Sequence, residues 1–421
     1  MSPLLTKSGF PANIVRLDNG LTVIHQQIEA TPVAVVDVWV KAGAIREPDP
    51  WSGMAHFLEH MIFKGTETLP PGAFDREIEN RGGMTNAATS HDYAHFFITL
   101  AAQYLENGLP ILADLLLHPA IPDEEFIRER EVVLEEIRQS NDNPDWLAFQ
   151  ALMEKIYQRH PYGRPVFGSA NQLMALTPSD MRQFHSCHYQ PENMTVAIVG
   201  NVSQSRAIAL IEQSFDRFPP RTPCPQLELE AEPPMTEIRR RELYLPRLEV
   251  GRLIMAWIGP GSEQLYEAYG LDLLAVLLAE GRSSRLVQEL REMRGLVHGI
   301  GSDFSVQRDS SLFTISAWLD PENSEQVESL IRDRIYELQN EPICDVELNR
   351  AKRVLCNDYA FSSETPSQLA GLYGYYHTIA EAPNAVAYPA CIQSYDAEQL
   401  QQVANHYLSP NYYAVTHLKP L

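Results

Sequence analysis

The chain closes each of its halves in the same way. Residues 177–200 read TPSDMRQFHSCHYQPENMTVAIVG, and residues 396–418 read DAEQLQQVANHYLSPNYYAVTHL. At a constant offset of 219, Gln183 falls on Gln402 and Pro191 on Pro410. In both, a 3.6-residue apolar period runs into a proline turn and then an apolar strand. The fronts agree as well: VVDVWVKAGA (35–44) resembles RLIMAWIGPG (252–261), a strand ending in glycine. Each is followed by an apolar helix and a second glycine, Gly65 or Gly281. Between the copies lies PPRTPCPQLELEAEPP, residues 219–234, whose six prolines preclude regular structure and stiffen a connection. The expected organisation is a unit at 1–218, a proline-rich linker at 219–235, and a second unit at 236–421. Strand patterns at 19–25, 33–42 and 94–100 mix with helical ones at 52–63, 104–117 and 123–139. The fold class is therefore α+β: two homologous α/β-sandwich-like halves, each a mostly antiparallel sheet with helices on one face.

The two front helices differ in one respect. In SGMAHFLEHMIFKGT (52–66), His56, Glu59 and His60 interrupt an otherwise apolar run. A buried polar group without a partner costs about 1–3 kcal/mol, so three within five positions need something to share. The second copy, YGLDLLAVLLAEG (269–281), has Leu273, Ala275 and Val276 in that neighbourhood and lacks the cluster. On a helix His56 and His60 lie one turn apart on one face with Glu59 beside them. Two imidazoles can then share a zinc ion, and a carboxylate is left for proton transfer. His-x-x-Glu-His reverses the order of the common zinc-protease helix and is the inverzincin signature. With 13 histidines among 421 residues such a pentad seldom arises by chance; the competing reading is a pair of hydrogen-bonded core histidines.

Zinc needs a third protein ligand and an open position for water. PDEEFIREREVVLEEIRQS (122–140) is helical by pattern, and Glu129, Val132, Val133 and Glu136 share a stripe on it. Glu136 is the candidate third ligand, and Glu129, two turns earlier, the candidate carboxylate that orients a histidine. The pattern alone reads equally as two glutamates on a solvated flank. Other histidines call for no metal: His118 and His160 precede prolines, His91 and His95 are expected to share a strand, and His185 and His188 close a helix.

Composition excludes several classes. A net charge of −22 argues against nucleic acid, whose phosphates require clustered Lys and Arg, and favours cationic partners such as basic peptides. No 18-residue apolar run is present, so no membrane span is expected, and the N-terminus lacks the pattern of a signal peptide. Five scattered cysteines without a CxxC pair fit a reducing compartment, a bacterial cytoplasm or an organelle interior, and suggest no cysteine-based metal site.

HFLEHMIFKGT (56–66) followed by REREVVLEEIRQSNDNP (128–144) resembles the M16 metallopeptidases, the group of mitochondrial processing peptidase, pitrilysin and insulin-degrading enzyme. The resemblance covers the whole chain, and its length is that of the processing-peptidase-like branch. It implies the metallohydrolase fold of that branch and a zinc endopeptidase with one Zn2+ per chain. In that family a glutamate about 76 residues after the second histidine is a zinc ligand, which falls on Glu136, and another lies seven residues earlier, at Glu129. It further implies that Glu59 accepts the proton of a zinc-activated water and delivers it to the leaving amine. RGGMTNAATSHDYAHFFITL (81–100) resembles the family's edge strand, which implies that Asn86 and Ala87 contact an added peptide strand. GRSSRLVQELREMRGLVHGIGSDF (281–304) resembles the stretch where an Arg and, seven residues on, a Tyr assist substrate binding. Arg291 holds the first position, but the second is His298. That departure points to a homo- or heterodimer in which a sister subunit supplies an Arg/Tyr pair. The alternatives are a non-catalytic assembly subunit, as in respiratory-complex core proteins, and a peptide-binding scaffold with structural zinc.

Overall fold

A computed structural model describes residues 9–225, 227, 229–246 and 248–421. The first sheet contains β1 (Asn13–Arg16), β2 (Thr22–Gln27), β3 (Val33–Val40), β4 (Met84–Thr89), β5 (Ala94–Ala101) and β6 (Met194–Gly200). Its order is β1-β2-β6-β3-β5-β4. The second contains β7 (Arg239–Leu245), β8 (Gly251–Pro260), β9 (Gly299–Val306), β10 (Ser310–Leu319) and β11 (Ala414–Pro420), in the order β7-β11-β8-β10-β9. Without β1 the two orders coincide strand for strand. The senses coincide too: β2–β6 and β7–β11 are parallel, and the remaining pairs are antiparallel. The repeat seen in the sequence is a repeat of topology.

The first half of the chain also contains α1 (Met54–Ile62), α2 (Ala73–Glu79), α3 (Leu105–Leu117), α4 (Asp123–Asn141), α5 (Pro144–Ile156), α6 (Ala170–Ala175), α7 (Pro178–His188) and α8 (Gln204–Ser214). The second half contains α9 (Leu265–Ala279), α10 (Ser324–Asn340), α11 (Asp345–Phe361), α12 (Pro366–Ile379), α13 (Asn384–Ser394) and α14 (Ala397–Tyr407). The closing helices α7 and α14 both begin with a capping box, Thr177 with Asp180 and Asp396 with Gln399. The described residues of 219–234 form no helix or strand.

Each sheet carries its own helices on one face. The other face is covered by a helix from the opposite half, a feature absent from the sequence-based expectation. Ala148, Leu152 and Ile156 of α5 pack on Ile254, Ala256, Ala414 and Leu418 of the second sheet. Reciprocally, Ala370 and Tyr373 of α12 pack on Ile24, Val35, Ala197 and Val199 of the first. Burying each large apolar side chain contributes about 1.5–3 kcal/mol, so the exchange is a substantial part of what joins the halves. Both exchanged helices start with the same devices, a polar N-cap and a proline in the first turn: Asn143 with Pro144, and Thr365 with Pro366. The exchange also accounts for β3, VAVVDVWV, buried along almost its whole length as expected of a strand covered on both faces.

Several local expectations shift. β2 starts at Thr22 and β3 stops at Val40. His91 sits in the hairpin between β4 and β5, partly buried, with Nε2 3.0 Å from the Arg164 carbonyl; only His95 is on the strand, stacked on Trp39. His160 is a buried cap residue paired with Asp309, and His185 is buried with Nε2 2.7 Å from the Leu116 carbonyl.

α12 approaches the first sheet so closely that a Cβ at Gly374 would overlap the indole of Trp39, whereas one at Gly371 would meet only Asp37 Oδ2, at 4.0 Å. Gly374→Ala is therefore expected to destabilise by about 1–3 kcal/mol through overpacking. Gly371→Ala is expected to stabilise by up to about 1 kcal/mol through helix propensity. Urea unfolding midpoints of the two variants should move in opposite directions.

Candidate metal centre

α1 begins at Gly53, which takes the left-handed conformation (φ 91°) and whose Cβ would overlap the Phe167 carbonyl, so only glycine fits there. The orphan donors of its first turn are met from a distance. Glu47, fully buried, accepts from Gly53 N at 2.9 Å and Ala55 N at 2.7 Å. Burial pushes the Glu47 carboxyl up to about 8, against the pull of these two bonds. Seven of the nine α1 residues are buried; Glu59 and His60 are the partly exposed pair.

His56 and His60 turn their Nε2 atoms toward Glu136 Oε2, at 3.8 and 3.6 Å. One donor atom from each of the three lies within 4.8 Å of the others. These separations are too long for hydrogen bonds. They are close to the spacing of about 3.3–3.5 Å between ligand atoms on a tetrahedral zinc with bonds of about 2.0–2.2 Å. His56 is 8% exposed, and its Nδ1 has no hydrogen-bond partner among the described residues. Burial, then the neighbouring His60, pushes its pKa down to about 4, so the ring is neutral. A neutral ring keeps a lone pair on Nε2, which a cation between the three donors takes up. The residues fit a zinc ion.

The neighbouring charges are ordered. Glu129, buried, accepts from His60 Nδ1 at 3.0 Å and pairs with Lys64 Nζ at 2.5 Å. Burial pulls His60 down, but the Glu129 bond and the charges of Glu136, Glu129 and Glu59 outweigh it, for a net rise. Burial likewise opposes ionisation of Glu129, yet His60 and Lys64 win and its pKa falls. Glu59 is raised by burial against a 2.6 Å hydrogen bond from Thr89 Oγ1. Lys64, Thr89 and Glu47 were not singled out in the sequence. For Thr89 a signal existed: alternation along β4 puts Thr85, Ala87 and Thr89 on the helix side, where hydroxyls need partners.

The stripe on α4 is partly corrected. Val133 is buried, but Val132 is 51% exposed, and the Glu136 side chain is 41% exposed. This flank of α4 faces solvent. β4 ends the sheet order with one edge free, and its exposure alternates. Asn86 is exposed, with Oδ1 accepting from Ala87 N at 2.9 Å; an added strand has to displace that bond to reach the donor. Arg291 and His298 are not brought to the centre. Arg291 lies in a π-helical stretch, Val287–Met293, paired with Glu292, and His298 Nε2 is 3.1 Å from Asp320 Oδ1.

In the second half Asp272 stands nine residues before Gly281, as His56 stands nine before Gly65. Asp358 is the fourteenth residue of α11, as Glu136 is of α4. The imidazoles are gone, and Asp272 is engaged by the Tyr388 hydroxyl.

Comparison with known proteins gives the same class, a peptidase built of two related units. The family model described as Insulinase (Peptidase family M16) matches residues 22–170, and Peptidase M16 inactive domain matches residues 175–355. An uncharacterized zinc protease of Rickettsia felis is 30% identical over 84% of this chain and 84% of its own length. Zinc protease PqqE of Helicobacter pylori is 29% identical over 96% of this chain and 92% of its own. The crystal structure of a protease from Helicobacter pylori superposes with a TM-score of 0.91 at 28% identity, covering 97% of this chain and 99% of that one. The chain belongs to the M16 peptidase family.

Because Glu129 fixes the His60 ring through Nδ1, Glu129→Gln is expected to weaken zinc binding about 10–100-fold. Competition against a chromogenic chelator measures it, with circular dichroism confirming an intact fold.

Proposed function

We propose that the protein is a zinc-dependent endopeptidase that cleaves peptides or unfolded segments, holding one Zn2+ per chain on His56, His60 and Glu136. The observation that carries this is the convergence of these three donors beside a partly buried carboxylate, Glu59, that is not one of them. Zinc bound there supplies Lewis acidity, acidifying a water and polarising the scissile carbonyl. Glu59 takes the water proton and passes it to the leaving nitrogen. Thr89 occupies Oε2 of Glu59, which leaves Oε1 for that transfer. The free edge of β4 takes the substrate as an added strand, with Asn86 and Ala87 beside it. The net charge of −22 favours basic peptides.

The chain acts as the zinc-carrying member of a dimer. Two observations support this: the half-exposed Glu136 side chain leaves the centre accessible from outside, and Arg291 and His298 are engaged locally, with Glu292 and Asp320. Among the described residues no helix is long and apolar enough to cross a membrane.

Cleavage of a quenched-fluorescent basic peptide, with zinc quantified in the same sample, tests the reading. Glu59→Gln should keep the zinc and lose about 10²–10⁴-fold in kcat. Undiminished cleavage by this variant would refute the assignment. Thr89→Val removes the bond that holds the Glu59 pKa down against burial, so that pKa rises further. The deprotonated base then forms only at higher pH, and the acidic limb of the kcat/KM profile should move upward.

A further inference from the structure

One constellation is not used by the function proposed above. Cys187 and His188 end α7, and Cys224 lies 37 residues further on in the proline-rich stretch. Against the expectation of free thiols, Cys187 and Cys224 form a disulfide, with Cα atoms 5.3 Å apart. A ring nitrogen of His188 lies within 4.8 Å of both sulfurs. The His188 residue is 7% exposed, and its Nε2 has no hydrogen-bond partner among the described residues. A disulfide has no need of that imidazole, and the imidazole gains no hydrogen bond from a disulfide.

We propose that Cys187, His188 and Cys224 form a second metal site, closed while the two sulfurs are bonded and opened to a zinc-class ion when they are reduced. A dithiol reductant supplies two electrons and two protons. The Sγ–Sγ bond breaks, two thiols form, and the reductant becomes a disulfide. Each thiol then releases its proton as its sulfur binds the ion. Two thiolates and one imidazole are a soft donor set that suits zinc rather than magnesium or calcium.

The movement required is small. Bonded sulfurs are about 2.05 Å apart. On one zinc, with bonds of about 2.3 Å, they would stand about 3.8 Å apart. Cys187 is buried on a helix, whereas Cys224 is exposed in a segment without helix or strand, so Cys224 is the side that gives. It stays within reach after reduction because the segment is tied to α7 independently. Thr222 Oγ1 is 2.7 Å from Ser186 Oγ and donates to the Gln183 carbonyl at 3.2 Å, and Gln190 Nε2 donates to the Pro219 carbonyl at 3.0 Å. The exposed side leaves the fourth position to water, so this ion should exchange more readily than one in a closed four-ligand site.

The test counts zinc per chain by elemental analysis in three samples of the full chain. These are native protein reduced with a phosphine, native protein left oxidised, and the phosphine-treated Cys187→Ser/Cys224→Ser variant. Reduced native protein should carry one more zinc than either of the others. Equal zinc in reduced native protein and the variant would overturn the proposal. Because the readout is a difference, it does not depend on how the His56–His60–Glu136 centre fills. If the double variant fails to fold, Cys224→Ser alone, at the exposed position, takes its place. With cobalt as the probe, reduced native protein should show a thiolate-to-metal charge-transfer band that Cys224→Ser loses; its absence from native protein would also overturn the proposal.

Discussion

Each half has a sheet with two apolar faces and enough of its own helices to cover one. The uncovered faces are closed by exchange, α5 on the second sheet and α12 on the first. Neither half alone can bury β3 or β8 on both sides, and a sheet face left in water forfeits about 25 cal/mol for each Å2 of apolar surface. The metal centre inherits this constraint. His56 and His60 stand on α1, which rests on the first sheet, but Glu136 stands on α4. Only Asp142 and Asn143 separate α4 from α5, which is seated on the other half. The distance between the two imidazoles and the carboxylate is thus fixed partly by packing between the halves.

The Glu59 side of the centre depends on the second half in a similar way. Thr89, the partner of Glu59, ends β4 just before a hairpin that is itself held from outside. Asp92 in that hairpin accepts from the Tyr162 hydroxyl at 2.7 Å and from Arg308 N at 3.0 Å, and Arg308 belongs to the matching hairpin between β9 and β10. Asp309, next along, faces His160 Nε2 at 3.3 Å. Burial raises the Asp92 carboxyl, opposed by the bonds from Arg308 N and Tyr162. A half with no comparable donor set therefore helps to hold the threonine that donates to Glu59.

The parts of this arrangement that were legible in the sequence are those written in local periodicity. The His-x-x-Glu-His spacing on an apolar helix and the shared stripe of Glu129 and Glu136 follow from 3.6 residues per turn, and the common offset of the two closing helices is read by laying one half on the other. Nonlocal pairings were not legible. VAVVDVWV announces a strand covered on both faces, but nothing in it says that the second cover comes from residues 366–379. A spacing of 37 residues does not reveal that Cys187 meets Cys224. Val132 fits an apolar stripe yet is exposed to solvent.

The duplication is symmetric in topology and asymmetric in chemistry, and the exchange of helices explains how both can hold. At the positions of His56, Glu59 and His60 the second half has Asp272, Ala275 and Val276, and the position of Glu136 is Asp358. Burial, the largest influence, and then the acids Glu280, Asp303 and Asp358 push the Asp272 carboxyl up to about 6 against the Tyr388 bond, a setting that suits a shared hydrogen bond better than a bound dication. With apolar and hydroxyl-bonded groups in place of two imidazoles, α9 avoids the cost of an unsatisfied buried nitrogen such as His56 Nδ1 and is left free to pack. Losing the sheet beneath it would instead uncover α5 and displace the α4 that carries Glu136. The donor set can vary in one copy because nothing else leans on it, whereas the scaffold of that copy cannot, because the centre in the other copy is built against it.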